Sequence, residues 1–142
     1  MFESGANSIR IWSTNKSELL DSAYKYDLSV CLGIWVAQER NGFNYNDEYN
    51  VRSQIELIKK EILRLKDHPS ILLWGIGNEV DLQYSNFKVW ETIEEIAKFI
   101  KKVDPNHPTA TVIAGLDPSK VLIIKTFEAV SYTHLTLPTN HP

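Results

Sequence analysis

Short apolar runs alternate along the chain with longer segments whose apolar residues recur at helical spacing. Residues 8–12, Ser-Ile-Arg-Ile-Trp, are short, β-branched and preceded by Gly5, which suits a strand. Asn15 followed three residues later by Glu18 has the form of a capping box, opening a helix through Leu19, Leu20, Ala23 and Tyr24 to near Asp27. Residues 28–36 are again continuously apolar and give way to the polar run Ala37-Gln38-Glu39-Arg40-Asn41-Gly42, a second buried strand and a long loop. Between Asp47 and Lys66, Val51, Ile55, Ile58, Ile62 and Leu65 recur at steps of four and three and predict a helix with one apolar face. Glu56 and Lys60 are spaced for an exposed pair on it, worth only ~0.2–0.5 kcal/mol, so the apolar stripe decides the packing.

After Asp67-His68-Pro69 comes the run Ile71-Leu72-Leu73-Trp74-Gly75-Ile76-Gly77-Asn78-Glu79, which ends abruptly in an amide and a carboxylate. Its length and flanks read as a strand buried on both faces, as in a parallel sheet. A helix is predicted from about Asn86 to Val103, with Val89, Ile93, Ile96 and Ile100 on one face and Pro105 beyond its end. Residues 109–114 form a further strand, and Asp117-Pro118 supplies an N-cap and first-turn proline for one more helix over 119–127. Strands alternating with helices pair in parallel through right-handed crossovers, which defines an α/β domain. Periodicity alone leaves open whether the sheet is doubly wound or part of a barrel. Gly75-Ile76-Gly77 is no dinucleotide fingerprint, because its sixth position is Val80 where glycine is required.

Composition narrows the function classes. At 142 residues, 43% hydrophobic and 23% charged, the chain has the make-up of one globular domain. Its net charge of -3, with both signs interspersed, leaves no electrostatic footprint for nucleic acid or an anionic membrane. No apolar run approaches the ~20 residues of a membrane-spanning helix. The single cysteine, Cys31, lies in an apolar run and reads as a buried, inert thiol. Neither His68, in the turn before a strand, nor His107, between Asn106 and Pro108, has a metal-ligand partner at suitable spacing. No metal and no cofactor is expected.

Both ends read as cut. The strand pattern begins almost at once, and Val130-Ser131-Tyr132-Thr133-His134-Leu135-Thr136-Leu137-Pro138-Thr139 resembles one reading-frame translation of a transposase adapter used in sequencing libraries. The expected division is a partial barrel domain over residues 1–129 and a non-native tail over 130–142, excluded from fold reasoning.

The string His68-Pro69-Ser70-Ile71-Leu72-Leu73-Trp74-Gly75-Ile76-Gly77-Asn78-Glu79 resembles the fourth strand of glycoside hydrolase family 2 catalytic barrels, and Gly5-Ala6-Asn7-Ser8-Ile9-Arg10 resembles the second. The resemblance runs from Phe2 to about Phe127 and implies an α/β fold: a partial (β/α)8 TIM barrel of about four parallel βα units, strands two to five, with strands one and six to eight absent. It further implies a retaining glycosidase acting on a carbohydrate, whose active site is built at the carboxyl ends of the strands. Bacterial relatives of this kind often act in the periplasm or outside the cell, so the resemblance implies a periplasmic or extracellular location ahead of a cytoplasmic one.

By the same resemblance Glu79 is the general acid and base. Cleaving an acetal requires a proton on the departing oxygen, and a retaining enzyme holds a second carboxylate ~5–5.5 Å away as nucleophile. The family carries that nucleophile on strand seven, beyond this chain, so the isolated polypeptide is expected to be inactive. Half a barrel would also leave two unpaired edges and associate or precipitate alone. Asn78 matches the asparagine that hydrogen-bonds the hydroxyl next to the reacting carbon, and Arg10 the arginine that orients the nucleophile. Trp12 and Trp35 fall near strand ends, where flat rings stack on sugars, although core packing is an equal use for each. Trp74 and Trp90 are expected in the core. Glu39 sits where the family lines its pocket, but Ala37-Gln38-Glu39-Arg40 departs from the Asp-Glu-x-Asn run of the galactosidase and glucuronidase branches, which leaves the sugar open. Two other readings fit the same residues: a glycan transglycosylase of the same clan, and a carbohydrate-binding barrel without turnover.

Overall fold

The computed structural model describes residues 5–115 and the backbone of Ala129–Tyr132. Strands β1 (Ser8–Ile11), β2 (Ser29–Ile34), β3 (Ile71–Asn78), β4 (Thr109–Ile113) and β5 (Ala129–Tyr132) lie side by side in chain order, every neighbouring pair parallel. Helices α1 (Glu18–Lys25), α2 (Glu48–Leu65) and α3 (Lys88–Val103) connect the first four. A doubly wound sheet reverses its strand order partway. This one never does, so right-handed crossovers place every helix on the same face, and the sheet is an arc of a (β/α)8 barrel.

Alternation along the strands explains what each face carries. Val30, Leu32 and Ile34 of β2 and Trp74 and Ile76 of β3 are buried with Leu20, Ile58, Ile62, Ile93, Ile96 and Ile100 of the helices. Trp74 and Trp90 are both core residues, as the sequence led us to expect. The opposite face carries the intervening residues. β3 departs from the expected two-sided burial: its pairing with β2 slips by one residue between Ile71 and Leu73, and there Leu72 is exposed, while Leu73 beyond it is half-buried.

Gly33 sets how closely β1 approaches β2. A Cβ at this position would meet the backbone of Ile11 and Trp12 at 2.6 Å, so only glycine admits the carboxyl end of β1 here.

Two local expectations are corrected. Asn15 and Glu18 form no capping box. Instead, the Ser13 hydroxyl accepts from the Asn15 amide to start a 3-10 turn over Thr14–Lys16, and α1 begins after Ser17. Glu56 pairs with Lys59 rather than Lys60, because Lys59 also reaches Glu95 on α3 and so joins two helices. Asp47 does cap α2, accepting from the Asn50 amide at 3.1 Å. The helix expected over 119–127 lies outside the described residues. The backbone of Ala129–Tyr132, which includes the first residues of the stretch resembling adapter sequence, pairs with Ala110–Ile113.

Candidate active site

A one-residue irregularity in β3 creates the site. Arg10 pairs with Cys31 and Cys31 with Leu73, so Arg10, Cys31, Leu73 and Gly75 share the face away from the helices. Strict alternation would then put Asn78 on the helix face with Trp74 and Ile76. It does not. Ile76 pairs with Thr111 and Asn78 with Val112, so Gly77 is an extra residue on β3, in the left-handed region at φ 72°. The added step carries the Asn78 side chain across to Arg10's face. The Thr111 hydroxyl donates to the Ile76 carbonyl at 2.8 Å, satisfying an acceptor next to the bulge.

Beyond the bulge, Arg10 Nη2 donates to Asn78 Oδ1 at 2.7 Å, a link between residues 68 apart in sequence that reaches from β1 across β2 to β3. Glu79 follows with φ 51°, a left-handed conformation uncommon for a residue with a side chain. Three contacts hold it there. Its amide donates to the Val112 carbonyl at 2.8 Å, Val80 is buried beneath Gly77, and Asp81 accepts from the Ala114 amide at 2.9 Å. The side chain of Glu79 is 20% exposed and faces Arg40, Nη2 to Oε2 at 3.7 Å. No hydrogen bond reaches its carboxylate from any described residue.

The turn after β2 grips this strand end through its polar side chains. Gln38, only 2% exposed, donates to the Asn78 carbonyl at 2.5 Å, while its own oxygen accepts from Arg40 Nε and Asn41 Nδ2, both at 2.9 Å. The turn is anchored from behind: the Tyr45 hydroxyl donates to the Ala37 carbonyl, and the Ala37 amide donates to Gln54 of α2. Burial pushes the Tyr45 hydroxyl up to about 12, so it remains a donor across the ordinary pH range. The one available signal was a buried strand that gives way to four consecutive polar residues, Gln38 to Asn41.

The remaining candidates are placed as follows. Glu39 turns to the next loop, where its carboxylate accepts from the Asn86 amide at 2.9 Å and from the Ser85 amide and hydroxyl at 2.6 and 3.2 Å. These donors hold it below the usual glutamate range. Its oxygens are engaged with protein, which suits a tether better than the pocket lining expected. Trp12 and Trp35 stand just past the ends of β1 and β2, 55% and 47% exposed, so neither serves the core. The Arg10 guanidinium lies 4.2 Å from the Trp12 ring centroid. Arg10, Trp12, Lys16 and Leu19 share a cleft of about 210 Å3. Cys31 is partly buried, and that burial raises its thiol above the ordinary value. Among the described residues, no three His, Cys, Asp or Glu side chains gather as a metal site, and no helix is long and apolar enough to cross a membrane.

Parallel strands in unbroken order, with the Arg10–Asn78 hydrogen bond and Glu79 at one rim, define a segment of a (β/α)8 barrel. The sequence model of Glycosyl hydrolases family 2, TIM barrel domain, matches residues 21–141, and the chain belongs to that family. A β-galactosidase of Psychromonas ingrahamii is 25% identical over 122 residues, covering 80% of this chain and 11% of its own length. Among solved structures, a β-D-glucuronidase of Dictyoglomus thermophilum has a TM-score of 0.71 at 21% identity, covering 90% of this chain and 23% of that one. A family 2 member of Bacteroides cellulosilyticus has a TM-score of 0.75 at 18% identity, covering 92% and 17%. The chain thus spans less than a quarter of each of these relatives.

Proposed function

We propose that this chain carries the acid/base part of a retaining O-glycoside hydrolase whose nucleophile lies on polypeptide outside these residues. The observation that carries the reading is the Arg10–Asn78 hydrogen bond, which draws together two of the residue types such a site needs, with Glu79, the third, adjacent in sequence. In the first step Glu79 gives its proton to the departing oxygen while the partner carboxylate attacks the anomeric carbon. In the second, Glu79 as carboxylate takes a proton from the water that displaces the enzyme from the sugar. Asn78 orients the neighbouring hydroxyl, and Trp12 and Trp35 offer exposed rings for sugar faces.

Arg10 supports the missing partner. Its Nε is buried and makes no hydrogen bond among the described residues, and leaving such a donor unpaired costs about 1–3 kcal/mol. A carboxylate from the absent part of the barrel would satisfy it.

The test is Glu79→Ala in the complete enzyme, assayed with aryl glycosides. Loss should be greatest for poor leaving groups. Azide, which needs no general base to attack the glycosyl-enzyme, should restore turnover and give a glycosyl azide of retained configuration. Activity within tenfold of wild type, without azide product, would refute the assignment.

A further inference from the structure

Arg40 is held as if for a ligand. Its Nε is fixed by Gln38, which is itself buried and bonded at both ends, so the guanidinium is aimed at the rim before anything binds. Its terminal nitrogens make no hydrogen bond among the described residues, and the 3.7 Å separation from Glu79 is too long for one. The Arg40 side chain, like that of Glu79, is 20% exposed. Planar donors left unspent beside the reacting position are what a bidentate oxyanion partner requires.

The reaction itself sharpens this. The following rests on the acid/base reading of Glu79. While Glu79 holds the proton for the leaving oxygen, it is neutral, and Arg40 loses its counter-charge at the same moment that a bound sugar removes its remaining water. A neutral sugar would leave a covered cation unpaired, which is costly. A negative group on the sugar would replace the pairing that Glu79 gives up.

We propose that Arg40 is a specificity-determining residue and that the substrate is a glycoside bearing an oxyanion, a uronate carboxylate or a sulfate ester, docked on this guanidinium.

The experiment compares kcat/KM in the complete enzyme for 4-nitrophenyl β-D-glucuronide and galacturonide, the matching glucoside and galactoside, and the 6-sulfated galactoside. Wild type should favour an anionic member over its neutral counterpart at least tenfold, and whether the uronides or the sulfate lead identifies the anion. Arg40→Gln should collapse that ratio at least tenfold, and Arg40→Lys, which keeps the charge but loses the Gln38 bond, should recover part of it. Thermal unfolding of both variants separates lost selectivity from lost fold. A neutral preference in wild type, or equal losses on both substrates in Arg40→Gln, would overturn the proposal. Turnover of neutral glycosides alone, abolished by Glu79→Gln, would overturn it while leaving the glycosidase reading intact. No turnover of any of them would count against both.

Discussion

Two carboxylates at opposite ends of the same sheet are treated in opposite ways. Asp104, at the amino-terminal rim just past α3, is 6% exposed and saturated: Trp74 Nε1 donates to it at 2.7 Å and His107 Nδ1 lies 2.8 Å from both of its oxygens. Glu79, at the carboxyl-terminal rim, has a strained backbone, one loose ionic neighbour and no hydrogen bond to its oxygens from the described residues. A carboxylate whose acceptor sites are filled by protein is part of the architecture. One held rigidly by its backbone, with its oxygens left free, can exchange a proton with something that arrives.

The largest test of that contrast is exchange of roles. Glu79→Gln should lower turnover of the complete enzyme by about 10²–10⁴, the range for a lost general acid. Its thermal midpoint should hold within a degree or two, because the side chain makes no hydrogen bond that supports the fold. If stability falls as much as activity, the contrast is wrong. Asp104→Ala should do the reverse, destabilising by about 1–3 kcal/mol by leaving the buried Trp74 indole N–H without an acceptor. Denaturant unfolding measures it, and a loss below about 0.5 kcal/mol would show the network to be ornamental.

A smaller effect is expected at the bulge. Gly77→Ala must adopt a left-handed conformation, at about 1–2 kcal/mol, and its methyl would meet Val80 at 3.1 Å. We expect loss of the Arg10–Asn78 hydrogen bond, visible in the Asn78 side-chain amide resonances. An unaltered spectrum would mean that the extra residue does not aim Asn78.

Smallest is the acid response of Glu39. Its carboxyl is held below the usual glutamate range in the folded chain, so its contribution to stability is complete above the unfolded value and fades as pH falls through the folded one. The Ser85 and Asn86 amide resonances should shift together in that acid window and not in Glu39→Gln. Movement of these amides near neutrality would exclude the tether as their cause.

Much of the frame was legible in advance because it follows from periodicity. The stripe Val51, Ile55, Ile58, Ile62, Leu65 and the run ending at Asn78 can each bury their apolar surface in only one regular way, so strand and helix order emerged with boundaries off by a residue or two. Caps were less legible: Ser13 displaced Asn15 because both can bond the same turn and local competition decides. The contacts of Glu39 were not legible either, because nothing in its neighbours shows that a loop 46 residues away presents amides to it.

The amino-acid sequence by itself determined the alternation of strands and helices and the presence of an amide and a carboxylate where a buried strand stops, since both depend on residues close along the chain. Only the tertiary structure decided which face Asn78 occupies, that Arg10 meets it across an intervening strand, and that Gln38 turns Arg40 toward Glu79. Those outcomes depend on one inserted residue changing the pairing register, and on side chains from three separate strand ends converging. No pattern confined to a single segment encodes either.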